Sequence, residues 1–394
     1  MSSNVRSAIF DVDAGTEQRL VENRRALHLA PEISGKEVET ARYIADRLET
    51  LAVDSLRLDV GGTGVVADIK GSKPGRAVLV RADMDGLPID ETAEVPFRSM
   101  RRGVMHACGH DAHMSIALNV ADALSRNRDA FPGLVRFAFQ PAEEKAGGAQ
   151  PMIEAGVLEG IDRVIGLHVW SELPVGQVSV RRDVVMASAD MFTLSVTGKG
   201  GHGAQPHRTV DAVVIAAEIV SALQTLVSRE VAPTDTAVIT LGSVHAGSAA
   251  NIIAGEAVLQ GTLRTFDKAL RTRLLSRIAE LADGIARAMR GRCDFKLESE
   301  APPVINEPSI ADLVAGAASG VVGKEGVVAF ESLMVGEDFA YFLEARPGCF
   351  FLLGGAPEGA PVVHHTPQFR IDERCLAIGY RVMGAAVLRL LERG

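Results

Sequence analysis

The sequence predicts an α/β fold, a mixed and largely parallel sheet with helices on both faces, carrying an inserted α+β ferredoxin-like domain. Three observations predict it. Through the first half of the 394-residue chain, amphipathic helical spacing alternates with short apolar runs, the pattern of strand–helix–strand units. From about residue 190 the order becomes βαββαβ, the signature of a ferredoxin-like sandwich. After Pro302-Pro303 the α/β pattern resumes. The expected boundaries are 1–187 and 303–394 for the α/β domain and 188–302 for the insert. Two domains suit a chain longer than one core usually supports.

Taken in order, 17–28 and 37–51 have the spacing of amphipathic helices. Residues 77–81 form a short apolar run stopped by Asp83-Met84-Asp85-Gly86-Leu87-Pro88, which reads as a buried strand ending in a loop. A helix over 110–124 and strands over 134–139 and 163–167 follow. In the insert we expect a strand at 192–196, a helix at 210–227, strands at 237–243 and 258–266, a helix at 270–289 and a strand at 293–298. The closing segment supplies 310–318, 350–353 and a helix over 373–391. Ligand sites in such sheets lie at the carboxyl ends of the strands. Asp83 and Asp85 follow one expected strand, Gln140-Pro141-Ala142-Glu143-Glu144 another, and His168 a third.

Composition removes several function classes. Lys+Arg total 41 against 50 Asp+Glu, a formal charge of -9, with no basic run interleaved with aromatics, which argues against a nucleic-acid partner. The four cysteines lack CxxC spacing and are too sparse for a disulfide framework, so a reducing, cytoplasmic setting is expected. Arg6, Asp11, Asp13, Glu17, Arg19, Glu22, Arg24 and Arg25 interrupt the first thirty residues, against a cleaved secretory signal. No run of about eighteen apolar residues occurs, so no membrane partner is expected.

The densest chemistry is Met105-His106-Ala107-Cys108-Gly109-His110-Asp111-Ala112-His113, with one cysteine, three histidines and an aspartate in nine residues. Thiolate and imidazole suit zinc, manganese, cobalt or nickel better than calcium. Further ligands must come from elsewhere, and some of the local histidines must orient rather than bind. Glu143-Glu144 alone would read as a solvated loop. At a strand's carboxyl end, however, adjacent side chains point in different directions, so one can face a metal while the other accepts a proton from water. His168, before Trp170, and His364-His365, before Thr366-Pro367, would each read as structural in isolation. Gly198-Lys199-Gly200-Gly201-His202-Gly203 lacks the order of a phosphate loop and reads better as a turn presenting His202. Asn251 is an ordinary surface residue by type, whereas Arg264 inside an apolar strand calls for a carboxylate partner.

With these residues collected, the chain resembles the amidohydrolase branch of the co-catalytic metallopeptidases, the hippurate hydrolases, N-acyl-amino-acid aminoacylases and auxin-conjugate hydrolases. The markers run nearly end to end: RADMDGLPIDE (81–91), GVMHACGHDAHM (103–114), FQPAEEKAGGA (139–149), GLHVW (166–170), GKGGHGAQPH (198–207), NII (251–253), GTLRTFD (261–267), GEDFAYF (336–342) and HHTPQF (364–369). The resemblance implies two divalent metal ions per subunit, zinc, manganese, cobalt or nickel, held by Cys108, His110, Glu144, His168 and His365. His365 is taken over His364 because the family's last ligand stands two residues before the proline. Glu143 is implied as general base, and Cys108 as a bridging ligand that leaves Asp83 and Asp85 to orient the others. The insert is implied as lid and dimer interface of a homodimer or dimer of dimers, with His202 stabilising the oxyanion in a neighbouring site and Asn251 and Arg264 holding a substrate carboxylate. Ala254 and Val335 depart from a proline and a glycine common in the family. The implied reaction is hydrolysis of an N-acyl amino acid to a carboxylic acid and an amino acid. The same metal chemistry on a dipeptide or a non-peptide C–N bond, and a non-catalytic binding protein, are the alternatives.

Overall fold

In the computed structural model, residues 8–359 and 362–392 are described; Arg6 and the extreme termini lie outside them. Helix α1 (Ala14–Leu29) starts where the Asp13 carboxylate accepts the Thr16 N–H at 2.7 Å, satisfying one of the first-turn donors. Then come α2 (Val38–Glu49), β1 (Ser55–Arg57), β2 (Val65–Lys70), β3 (Lys73–Asp83), α3 (His110–Arg126), β4 (Pro132–Gln140), β5 (Arg163–Pro174) and β6 (Val178–Ser179). The second unit contributes β7 (Ala189–Thr197), α4 (Ala212–Thr225), β8 (Ala237–Ala246), β9 (Glu256–Thr265), α5 (Lys268–Ala288) and β10 (Arg292–Ala301). The chain closes with α6 (Pro308–Val322), β11 (Val327–Val328), β12 (Gly348–Ala356) and α7 (Arg374–Leu391).

Two compact units result, one of Met1–Val185, Ile305–Glu331 and Asp338–Gly394, the other of Met186–Val304 and Ser332–Glu337. The first is built on an eight-stranded sheet in the order β1-β2-β4-β3-β5-β12-β6-β11. Its central strands β4, β3, β5 and β12 run parallel, while β1 and β2 add antiparallel at one edge. This is the mixed, largely parallel sheet the sequence calls for. Strands covered on both faces become near-continuous apolar runs. Val78 to Ala82 on β3, Val135 to Phe139 on β4 and Cys349 to Leu353 on β12 are buried throughout.

The chain moves from β3 through α3 to β4 on one side of β3, and then to β5 on the other. That reversal makes the gap between β3 and β5 a topological switch point, where open α/β sheets bind ligands. Pairing of β3 with β5 ends at Arg81↔Gly166. Beyond it β5 continues alongside β12, with His168 opposite Leu352.

The second unit is an antiparallel sheet in the order β8-β9-β7-β10, with α4 and α5 packed on it. Phe192, Leu194, Leu259, Leu263, Ile215, Ile219, Leu274 and Ile278 form its core. One stretch here, Ala212–Glu230, is long and apolar enough to cross a membrane by length and composition. Glu218, Ser221 and Gln224 interrupt it, and its Ile215, Ala216, Ile219, Leu223 and Leu226 are buried in this core, the behaviour of a helix with one core face.

Several expected strands are too short. The run expected at 77–81 extends over Lys73–Asp83, so Asp83 ends the strand rather than following it. The strand expected at 163–167 continues to Pro174, which places His168 inside β5 rather than after it. Asp83 and His168 belong to the strands because the chain is buried in a polar site at those positions, a circumstance hydropathy does not signal.

Candidate metal centre

Three loops and one strand bring the donors together at the β3/β5 switch point. The loop after β3 and the segment before α3 are stapled by two backbone hydrogen bonds between Leu87 and Met105, at 2.8 and 3.0 Å. Gly109 then turns the chain into α3 with φ of 93°, a conformation that favours glycine. Cys108 sits just before the turn, and His110 begins the helix.

Cys108 Sγ is 3.4 Å from His168 Nε2 and 3.4 Å from His365 Nε2. His365 Nε2 lies 3.3 Å from Glu144 Oε1. His110 Nε2 lies 3.8 Å from Glu144 Oε1 and 3.9 Å from Glu143 Oε2. Three donor groups therefore overlap: Cys108 with His110 and His168, Cys108 with Glu144 and His365, and His110 with Glu143 and Glu144. Cys108 is common to the first two. All six residues collected from the sequence for this site are thus brought to one place.

Neighbouring groups fix which nitrogen of each histidine faces the centre. His110 Nδ1 is 2.9 Å from the Asp85 carbonyl oxygen, and His168 Nδ1 is 2.8 Å from the Val169 carbonyl oxygen. Each carbonyl accepts the Nδ1 proton, which leaves Nε2 as the donor atom. His113 is different. Its Nδ1 donates to Asp83 Oδ1 at 2.6 Å and its Nε2 accepts the Val169 N–H at 2.9 Å. Both nitrogens are spent, so His113 orients Asp83 and β5. His364 accepts the Ser171 N–H at 3.1 Å through Nε2, places Nδ1 3.8 Å from Cys108 Sγ, and stacks on Trp170 with ring centroids 4.4 Å apart.

Asp83 and Asp85 are buried beside the donor groups, and each is hydrogen-bonded to its surroundings. The Asp85 carboxylate accepts from Ser34 Oγ at 2.6 Å and from the Glu144 N–H at 3.0 Å. Asp83 accepts from Arg81 Nη1 at 2.6 Å as well as from His113. The Arg81 side chain continues to Gln140 Oε1 and Asp338 Oδ1, at 2.9 and 3.0 Å. Arg81, Gln140 and Asp338 carry no role in the sequence reading. A charged Arg81 within an apolar strand was the available signal, since fully buried arginine is rare without partners.

Electrostatics show what these residues fit. Burial, then Glu144, Glu143 and Asp83, push the Cys108 thiol well above its usual range. Burial opposes protonation of His110, yet Asp83, Asp85 and Glu144 raise it to about 10. The site therefore has an excess of negative charge that a cation would neutralise. His110 Nε2, Glu144 Oε1 and Asp85 Oδ1 are also buried without a hydrogen bond, whereas buried polar atoms normally have a partner. Sulfur, nitrogen and carboxylate donors at these separations fit borderline-soft divalent metals.

His202, Asn251 and Arg264 lie in the second unit. His202 is exposed on a two-residue strand, Gly201–His202, paired with Ile252–Ile253 beside Asn251. Its Nδ1 accepts the Ala204 N–H at 3.0 Å, while the Asn251 carbonyl accepts the Gly203 N–H at 2.9 Å. Among the described residues, Arg264 does not have the carboxylate hydrogen-bond partner expected of it. Its Nη1 donates to the Met334 carbonyl at 3.1 Å, because a loop backbone rather than an acid closes over this part of β9.

A largely buried cluster of thiol, imidazole and carboxylate groups at the carboxyl ends of a parallel sheet has the donors of a metal-dependent enzyme of the α/β class. Residues 79–389 match the family described as Peptidase family M20/M25/M40, and the chain belongs to it. It is 43% identical over 284 residues to an N-acyl-L-amino acid amidohydrolase of Geobacillus stearothermophilus, covering 72% of this chain and 76% of that one. It is 38% identical over 380 residues to an N-acetylcysteine deacetylase of Bacillus subtilis, covering 96% and 99%. The solved structure of the YXEP protein of Bacillus subtilis, described as a dinuclear metal binding peptidase from M20 family, superposes with a TM-score of 0.83 at 35% identity, covering 96% and 99%. The chain is a metal-dependent amide hydrolase of this family.

Proposed function

We propose that this protein cleaves the amide bond of N-acyl amino acids, hippurate-like conjugates among them, to a carboxylic acid and a free amino acid. The observation that carries the reading is Cys108, shared between a His110/His168 donor group and a Glu144/His365 donor group, with Glu143 beside both. The two named relatives support the substrate class, because each name describes an amide whose amine side is an amino acid.

Cys108, His110, Glu144, His168 and His365 would hold two divalent ions, with zinc, manganese, cobalt and nickel as candidates. A bound metal pair would polarise the scissile carbonyl and lower the pKa of water at the site. Glu143 takes the proton of the attacking water and returns it to the leaving amine. Asp83 and Asp85 keep the ligands in register. His202, reaching a neighbouring subunit's site, donates to the oxyanion, an effect worth roughly 2.7–4 kcal/mol for one such donor elsewhere. Asn251 and Arg264 hold the carboxylate of the amino-acid portion. The unit around residues 188–302 serves as lid and dimer interface in a cytoplasmic homodimer or dimer of dimers.

The test is a turnover panel of hippurate, N-acetyl amino acids, indole-acetyl conjugates and dipeptides, each with zinc, manganese, cobalt and nickel. Release of a free amino acid from the acyl conjugates is the expected outcome. Turnover confined to dipeptides or to a C–N bond without an amino acid would reject the substrate class.

A further inference from the structure

The residues that carry Glu143 and Glu144 form a short turn between the end of β4 and a helix, Ala149–Glu154. Two alanines bracket the turn in the left-handed region, Ala142 with φ of 53° and Ala146 with φ of 49°. Such backbone persists only where its surroundings over-determine it. Buried carboxylates supply that restraint. Glu37 Oε1 accepts the Ala142 N–H at 2.9 Å, and Asp85 accepts the Glu144 N–H.

Asp338 holds both ends of the same segment. Its carboxylate accepts from Gln140 Nε2 at 2.7 and 2.9 Å, at the end of β4. It also accepts the N–H groups of Gly148 and Ala149, at 3.2 and 3.0 Å, where the helix begins. Arg81 Nη2 adds a charged donor at 3.0 Å, and the same guanidinium binds Asp83. The side chain is fully buried, and a carboxylate oxygen of Glu143 lies within 4.8 Å of one of its own. One acid thus ties the two ends of the catalytic turn to each other and, through Arg81, to the aspartate beside His110.

We propose that Asp338 is the positioning residue for Glu143, fixing the turn so that the base stands at a set distance from the metal ligands. This rests on the role given to Glu143 above. A base displaced by about 1 Å loses roughly 10²-fold in rate, while ligands held independently by Asp85 and by backbone carbonyls stay in place.

The test uses the full-length, metal-loaded enzyme with Asp338→Asn, which keeps the side-chain shape and one acceptor but turns an N–H either on Arg81 and Gln140 or on the Gly148 and Ala149 N–H groups. The expected result is a kcat lower by roughly 10²-fold, with KM and metal stoichiometry unchanged. Amide exchange should accelerate roughly tenfold over 146–149, where Asp338 accepts the Gly148 and Ala149 N–H groups, with protection elsewhere retained. Gln140→Met, which releases one end of the turn, should move kcat and exchange the same way to a smaller extent, and it decides the matter if Asp338→Asn does not fold. A kcat within twofold of wild type in the folded variant overturns the proposal. So does a loss of kcat that tracks lost metal or a general rise in exchange. If wild type turns over no acyl amino acid, the function reading fails, yet the exchange of 146–149 still reports on the clamp: unchanged protection there overturns it.

Discussion

Replacing Asp85 should weaken metal binding in a graded way that its contacts define. The carboxylate holds the Glu144 backbone N–H at 3.0 Å and stands 3.3 Å from His110 Nδ1, so Asp85 touches both proposed ligands, Glu144 through its side chain and His110 chiefly through its carbonyl. Ser34 Oγ donates to it at 2.6 Å and sets its rotamer. Asp85→Asn can keep the single oxygen that accepts from both Ser34 and Glu144, and the Asp85 carbonyl keeps accepting from His110 Nδ1 at 2.9 Å. Loss of a supporting partner of this kind costs about 10–100-fold in metal affinity, or about 1.4–2.7 kcal/mol. Asn should sit near the lower figure, and Asp85→Ala, which frees the Glu144 backbone as well, near the upper. Competition with a chelating dye measures the affinity, with unfolding curves confirming native folds. Affinity within twofold of wild type for folded Asp85→Ala would refute the reasoning, because neither ligand would then depend on this carboxylate.

Other outcomes follow from the same geometry. Cys108→Ser should lose metal and activity together, since one atom serves two donor groups; retention of two metals per chain would contradict the shared role. His28 is buried between Asp111 and Glu91, at 2.8 and 3.2 Å; burial opposes its charge, but these acids raise its pKa from 6.5 to about 9. A raised folded pKa gives stability that is fully present below 6.5 and lost as pH rises through about 9, an effect of about 3 kcal/mol. The stability gap between wild type and His28→Gln in urea should therefore narrow over that window; a gap independent of pH would remove the charge from the account. Mixing Glu143→Gln and His202→Ala chains should restore part of the activity through hybrid sites if His202 acts across a dimer. No recovery despite proven subunit exchange would count against it.

The α/β alternation and the βαββαβ order were legible because hydrophobic period is a local property. Cys108 and its neighbouring histidines stood out by residue type and density, whereas the full set with Glu143, Glu144, His168 and His365 came from the family resemblance, since His168 and His365 taken alone read as structural. What stayed hidden is whatever depends on a partner distant in sequence. By residue type His113 looks as much a ligand as His110 until Asp83 and the Val169 N–H are seen to take both of its nitrogens. Asp338 stands 198 positions from Gln140, and no spacing rule connects them. Arg264 likewise donates to the Met334 carbonyl, a loop contact that no residue pattern announces. The edge strand β1 and its neighbour β2 were missed because each is short and mixed with charge, and pairing rather than hydropathy makes them strands.

The most direct measurement compares wild type with Glu143→Gln, reading metal content and free amino-acid release on the same samples with an N-acyl amino acid as substrate. The account expects two divalent ions per chain in both proteins, with release lower by about 10²–10⁴-fold in the variant. Turnover by metal-loaded Glu143→Gln at the wild-type rate would contradict it.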